Sequence, residues 1–226
     1  MARPPYTLHA VTVEKVESVT PRLRRITIDG RRLTTYREGL PAQWLKVFVP
    51  GETDGGGRAY TIRRFDPVTG ALDMDFVVHG DAGPASNWAI RAKAGDRFEI
   101  SEPHPRGGVR LEPHHTRYLL FGDETALPAI ASILEALPAA TRADVFVEIE
   151  DQAEEQRIES AAAVNLQWLC RDGRGANSRL VAAARAMSAP GPETLVFVAA
   201  ESSIVQAIRR HAVQELSLIP ISEPTR

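Results

Sequence analysis

The segment Arg58-Ala59-Tyr60-Thr61 places a guanidinium and a phenol two residues apart. On an extended strand, alternate side chains share a face, so Arg58 and Tyr60 project together. A guanidinium can fork two phosphate oxygens. A phenol ring offers a stacking surface. The pair suits a ligand that carries both a flat conjugated ring and a pyrophosphate. Thr61 adds a hydroxyl or backbone donor near a ring nitrogen that takes up hydride. Taken alone, four such residues also describe a solvated surface strand.

A second chemical segment is His79-Gly80-Asp81-Ala82-Gly83-Pro84-Ala85-Ser86-Asn87-Trp88. Here a strand ends, glycines open a turn, and Pro84 stands where a helix can begin. Amides at a helix start bind phosphate, and Ser86 adds a hydroxyl. His79 could touch the flat ring or a ribose, although a lone histidine is more often structural. Trp88 has the character of a core anchor. Further on, Gly122-Asp123-Glu124-Thr125-Ala126-Leu127-Pro128 follows a strand and opens a helix. That is the setting for a dinucleotide at a helix N-terminus, although the G-x-G-x-x-G pattern is absent. Asp123 and Glu124 would repel phosphate and suit capping instead. Ala199-Ala200-Glu201-Ser202 ends a fourth strand at the edge where such sheets bind ligands. Arg171 and Arg174 follow a third strand and either meet an adenosine 2′-phosphate or remain solvated.

The elements that must carry these groups change period midway. From Leu8 to Ser101 the chain reads as short strands with Gly, Pro and Asp punctuation. Leu72, Met74 and Phe76 alternate with Asp73, Asp75 and Val77, and Asp66-Pro67-Val68-Thr69-Gly70 has hairpin chemistry. This spells a six-stranded antiparallel Greek-key barrel. From Tyr118 onward, strands at 118–121, 145–149, 166–169 and 195–199 alternate with helical runs at 127–137, 179–187 and from about Ser203. Such alternation implies a parallel-sheet α/β nucleotide-binding domain. The expected domains are 1–115 and 116–215. Residues 216–226 break the amphipathic pattern of Ile204, Val205, Ile208 and Ala212 and resemble a translated sequencing adapter. They are expected to be a non-native tail that leaves the second domain truncated.

Composition narrows the function. Hydrophobic residues make up 43% and charged residues 25% of 226, with a formal net charge of −2. This is the balance of a soluble globular protein, without the basic excess of a nucleic-acid coat. The single cysteine, Cys170, permits no intrachain disulfide. Neither a secretory signal nor a run of about 18 apolar residues is present. A monomer in the cytoplasm, with no nucleic-acid partner and no membrane insertion, is expected.

The two first segments together resemble the siderophore-interacting branch of the ferredoxin–NADP reductase superfamily. That branch carries an R-x-Y-T/S strand and a V-x-H-G-x-x-G-P-A-S-x-W segment around FAD. The resemblance runs from about Val11 to about Arg210. It implies an FAD-dependent oxidoreductase that takes electrons from NADPH or NADH, or from ferredoxin, and reduces a ferric siderophore. By resemblance, Arg58 holds the pyrophosphate, Tyr60 stacks on the isoalloxazine and Thr61 sits near its N5. Ile62, His79, Gly83, Pro84, Ala85, Ser86 and Trp88 line FAD. The G-D-E-T-A-x-P segment, here with Asp123, Thr125 and Ala126, borders nicotinamide, as does Glu201. Lys46, Arg63 and Arg64 flank the flavin-side strands and could offer charge to an anionic chelate. Two departures stand out. Glu102-Pro103-His104-Pro105-Arg106-Gly107-Gly108 replaces the branch's G-P-x-G turn, and Ala200 stands where relatives have glycine. The alternatives are a flavin- or ferredoxin-linked reductase with another acceptor and a flavin-binding module inactive through truncation. His114-His115 is not expected to share a metal, because neighbours on an extended segment point apart.

Overall fold

The structure is a computed structural model that describes residues 6–31, 33, 39–52, 56–78, 83–171, 178–187 and 189–214. His79, Arg174 and the 216–226 segment lie outside the described residues. The chain divides into two compact units, Met1–Arg110 and Leu111–Arg226.

The first unit holds β1 (Leu8–Thr20), β2 (Leu23–Asp29), β3 (Trp44–Phe48), β4 (Arg58–Thr61), β5 (Arg64–Phe65), β6 (Ala71–Val77), α1 (Pro84–Arg91) and β7 (Arg97–Ser101). The sheet order is β4-β3-β7-β1-β2-β6-β5, antiparallel throughout. Its two edge strands, β4 and β5, are separated in the chain only by Ile62 and Arg63. The Ile62 N–H donates to the Gln43 carbonyl at 2.8 Å, and the Arg63 N–H donates to the Asp73 carbonyl at 2.8 Å. Consecutive amides thus serve opposite edges and close the sheet into a barrel, leaving no long unpaired edge. The expected six strands appear as seven because one of them breaks at this crossing.

Alternation in β6 sends Leu72, Met74 and Phe76 into the interior, each fully buried. They meet Ile26 and Ile28 of β2, Leu45 and Val47 of β3, and Ile100 of β7. Each such side chain contributes about 1.5–3 kcal/mol by leaving water. β1 is long because it serves two ladders, pairing with β7 up to Thr12 and with β2 from Val13. The irregularity between Val13 and Lys15 allows the bend. The 66–70 turn forms as its residues suggest. Asp66 Oδ1 accepts from the N–H groups of Val68 and Thr69 at 2.8 and 3.3 Å.

The second unit holds β8 (Arg117–Asp123), α2 (Leu127–Ala136), β9 (Arg142–Ile149), β10 (Ala163–Cys170), α3 (Ser178–Ala186), β11 (Thr194–Ala199) and α4 (Ser202–Gln214). The strands are parallel in the order β10-β9-β8-β11. Winding reverses between β8 and β11. The crevice at their carboxyl ends is therefore the switch point where such sheets take ligands. Among the described residues, no helix is long and apolar enough to cross a membrane.

Candidate functional site

In β4, Tyr60 pairs with Leu45 and Arg58 with Val47. Cross-strand partners share a face, so both side chains lie on the side of the buried Leu45 and Val47. The Tyr60 ring stacks on Phe76 at 4.1 Å between centroids. Phe76 meets Trp88 of α1 at 5.9 Å, and Trp88 meets Phe98 of β7 at 4.8 Å. This aromatic row ties β4, β6, α1 and β7 together and orients the phenol. It also explains Trp88, whose indole packs into the barrel and bears on Tyr60 through Phe76. Burial pushes the Tyr60 hydroxyl up to about 12, with nearby Arg58 opposing and Glu52 reinforcing that shift. The ring is therefore a neutral surface at any working pH.

Arg58 emerges half-exposed, its Nη1 3.7 Å from Oε1 of the buried Glu52. Glu52 escaped the sequence reading, since a lone acid before a glycine-rich loop carries no signal. Thr61 pairs with Trp44 on the other face of β4. Beside it the 102–108 stretch folds over Trp44. The His104 N–H donates to the Trp44 carbonyl at 2.8 Å, and the two rings stack at 4.2 Å. Ile62 is buried in the core with its N–H engaged by Gln43, so its side chain supports the strand from within.

The start of α1 is the candidate anion seat. Gly83 has φ 94°, a conformation that favours glycine, and no atom lies within 4 Å of where a Cβ would stand. Among the described residues, no side chain caps the helix and no acid occupies its first turn, and Pro84 leads it. Ala85 and Ser86 are buried at its base. An uncapped helix start attracts negative charge. The exposed guanidinium of Arg58, the neutral face of Tyr60 and this open helix start fit a flavin dinucleotide.

The basic residues separate into different environments. Lys46 reaches the Gly57 carbonyl at 3.3 Å, and Arg64 is exposed on β5. Arg63, which the sequence suggests could offer charge to an anionic chelate, is largely buried. It is only 7% exposed, with Nε 3.9 Å from Asp75 Oδ2. Asp75 is itself gripped by Arg25 through Nε at 2.7 Å and Nη2 at 2.8 Å. Arg63 thus meets a carboxylate on the face of β6 opposite Met74 and Phe76, and both groups are nonetheless buried there.

In the second unit, Gly122 at the end of β8 allows close approach. A Cβ there would stand 2.7 Å from Ala126 Cβ and from Ile130 Cδ1, and 3.0 Å from the Ala199 carbonyl oxygen. Asp123 Oδ1 accepts from the Thr125 N–H at 2.9 Å and from its hydroxyl at 2.6 Å, so both residues shape the loop into α2. Ala126 is buried and precedes the first turn of α2. Glu201 precedes α4, where its carboxylate accepts from Ser203 Oγ at 3.2 Å. Arg171 lies among three carboxylates. Its Nε donates to Glu150 at 3.3 Å, its Nη1 is 3.6 Å from Glu148, and its Nη2 donates to Glu124. The His114 and His115 rings lie 4.1 Å apart. His114 is in a turn, so the premise of an extended segment does not hold. No group of three or more His, Cys, Asp or Glu suited to a metal occurs among the described residues.

Comparison with known proteins places these features in context. Residues 115–220 match the family described as siderophore-interacting protein, and so reach into the segment that reads as a foreign tail. Residues 49–107 match the siderophore-interacting FAD-binding domain. The chain is 32% identical over 215 residues to the ferric vibriobactin reductase ViuB of Vibrio cholerae, covering 85% of this chain and 78% of that protein. It superposes on the crystal structure of a siderophore utilization protein from T. fusca with a TM-score of 0.84 at 30% identity, covering 97% of this chain and 91% of the other. The siderophore-interacting protein SipS from Aeromonas hydrophila gives a TM-score of 0.79 at 30% identity, covering 94% and 87%.

Proposed function

This chain belongs to the siderophore-interacting protein family, and we propose that it is an FAD-dependent oxidoreductase that reduces ferric siderophores with electrons from a nicotinamide dinucleotide. The observation that carries the reading is the Arg58–Tyr60 pair on one face of β4, with the phenol locked by Phe76. The match of residues 49–107 to an FAD-binding domain supports the same cofactor.

Arg58 and the open start of α1 bind the pyrophosphate. Tyr60 orients the flat ring, and Thr61 is the donor toward its reacting nitrogen. Bound there, FAD supplies the exchange between two-electron hydride chemistry and one-electron reduction. The carboxyl ends of β8 and β11 receive the nicotinamide donor, with Thr125, Ala126 and Glu201 at the rim. Lys46 and Arg64 attract an anionic chelate. The substrate's iron needs no protein ligand, because Fe(II) binds hard oxygen donors less strongly and leaves the chelate after reduction. The reaction takes place in the cytoplasm, where nicotinamide donors are kept reduced.

The test is the purified protein soaked in excess FAD and freed of unbound flavin. A flavin band near about 450 nm is expected, bleached anaerobically by NADH or NADPH and recovered on adding a ferric siderophore, with Fe(II) trapped by a chromogenic chelator. A folded protein that stays colourless overturns the reading. Bleaching by reduced ferredoxin alone moves the donor assignment and leaves the flavin assignment standing.

A further inference from the structure

We infer that the second unit selects a dinucleotide whose adenosine ribose carries free hydroxyls, as in NADH, and turns away one with a 2′-phosphate, as in NADPH. This rests on the nicotinamide-donor reading above and adds its specificity.

The residues that decide it stand at the carboxyl ends of three adjacent strands. Glu124 follows β8, Glu148 and Glu150 lie at the end of β9, and Arg171 follows β10. In dinucleotide-binding sheets, an acid at about this point of the βαβ unit accepts from the ribose 2′-hydroxyl, whereas a nearby arginine receives a 2′-phosphate. Arg171 is the described arginine in that place. Each of its three guanidinium nitrogens already faces a different carboxylate: Nε faces Glu150 at 3.3 Å, Nη1 faces Glu148 at 3.6 Å, and Nη2 faces Glu124. Its side chain is 13% exposed. Glu148, 1% exposed, also accepts from the Leu180 N–H of α3 at 3.4 Å. That carboxylate is therefore anchored from two sides.

The charge arithmetic is unfavourable for phosphate. Among the described residues, three carboxylates surround this one guanidinium, an excess of acid over base. To reach Arg171, a phosphate dianion would have to break one of these pairs and then lie beside the released carboxylate, where Arg171 is 13% exposed. Like charges so placed repel strongly. A ribose diol is neutral, and its hydroxyls can donate hydrogen bonds to these carboxylates. Glu150 is the most exposed of the three acids, at 27%, and is the one placed to accept. The cluster thus performs two tasks: it engages Arg171, the described cation a 2′-phosphate would seek, and it presents acceptors to a diol.

The experiment uses the FAD-loaded full chain. Values of kcat/KM are measured for NADH and NADPH, and calorimetry compares binding of 5′-AMP and 2′,5′-ADP. NADH should be preferred by about tenfold or more, a factor that one mispaired charged contact readily supplies. In the Glu124→Gln/Glu150→Gln variant, Arg171 is released from two carboxylates, and the NADPH-to-NADH ratio should rise about tenfold. Glu150→Gln alone gives a smaller rise in the same direction and stands in if the double variant misfolds. Equal or better use of NADPH by the unmodified protein overturns the inference. So does an unchanged ratio in a variant with unaltered thermal unfolding. If neither nucleotide bleaches the flavin and neither adenosine ligand binds, the donor reading fails and takes this inference with it. Equal binding of both ligands removes only the specificity.

Discussion

Replacing Asp75 by Asn tests how the barrel holds the flavin strand in place. The Asp75 side chain is 2% exposed and lies between Arg25, 16% exposed, and Arg63, 7% exposed. The isosteric amide keeps one oxygen acceptor but loses the negative charge, and it turns an N–H donor toward guanidinium donors. Removing one partner from a buried ionic cluster costs about 3–5 kcal/mol, because the remaining charge stays desolvated without compensation. Here Asp73 and Glu17 still face Arg25 and the amide retains one acceptor, so the loss sits at the low end, about 3 kcal/mol. For a chain of this size that corresponds to a fall in Tm of about 6–12 °C. Circular dichroism during heating reads it directly. Flavin should also loosen, because Arg63 lies two residues after Thr61, at the end of the strand that carries Tyr60 and Thr61. The triple variant Arg25→Met/Asp75→Leu/Arg63→Met supplies the control: with no buried charge left, it should recover most of the lost stability. An Asp75→Asn protein that melts within 3 °C (about 1 kcal/mol) of the parent would refute the reasoning, as would a triple variant less stable than the single one.

Three shorter expectations accompany it. Tyr60 should titrate late, at about 12. Its raised folded-state value means that this contribution to stability is complete below pH about 10, the ordinary phenol value, and disappears as pH climbs through about 12. Ultraviolet titration should lose one late phenol in Tyr60→Phe, and a late signal of unchanged size would assign it elsewhere, for instance to Tyr118, which burial also raises. Arg58→Ala should weaken FAD by about tenfold or more, since a charge-assisted hydrogen bond contributes about 1.5–3 kcal/mol, and should weaken FMN much less; equal losses measured by fluorescence titration would count against a pyrophosphate contact. Gly122→Val should destabilise the protein by about 1–3 kcal/mol through overpacking against Ala126 and Ile130, and should slow flavin bleaching by nicotinamide donors while flavin content holds. A variant with unchanged bleaching kinetics would remove Gly122 from the donor site.

Much of the fold was legible from local pattern. Leu72, Met74 and Phe76 alternate because a strand shows one face to the core, and period two is visible without knowing the partner strand. The 118–121 and 195–199 strands read as continuous apolar runs because both faces of a parallel sheet are covered. Gly83 and Pro84 announced a helix start through backbone chemistry that needs no tertiary context. What stayed hidden depends on contacts distant in sequence. Asp75 reads as a polar outer residue, yet it is buried between Arg25, 50 positions away, and Arg63. The Phe76 surface behind Tyr60 arises only when the barrel closes.

The sequence by itself determined the chemical types in the site, the change from barrel to nucleotide-binding period, and the resemblance that named the cofactor. Tertiary structure alone decided which charges remain available. Arg63 and Arg171 are both basic residues beside expected ligand strands, and nothing local separates them from Lys46 or Arg64. Arg63, just before β5, is buried against Asp75 of β6, the strand that pairs with β5. Arg171 meets Glu150 across 21 positions and Glu124 across 47, because parallel strands bring their carboxyl ends together. A guanidinium's role depends on what surrounds it in space, and those neighbours are set by the pairing of strands.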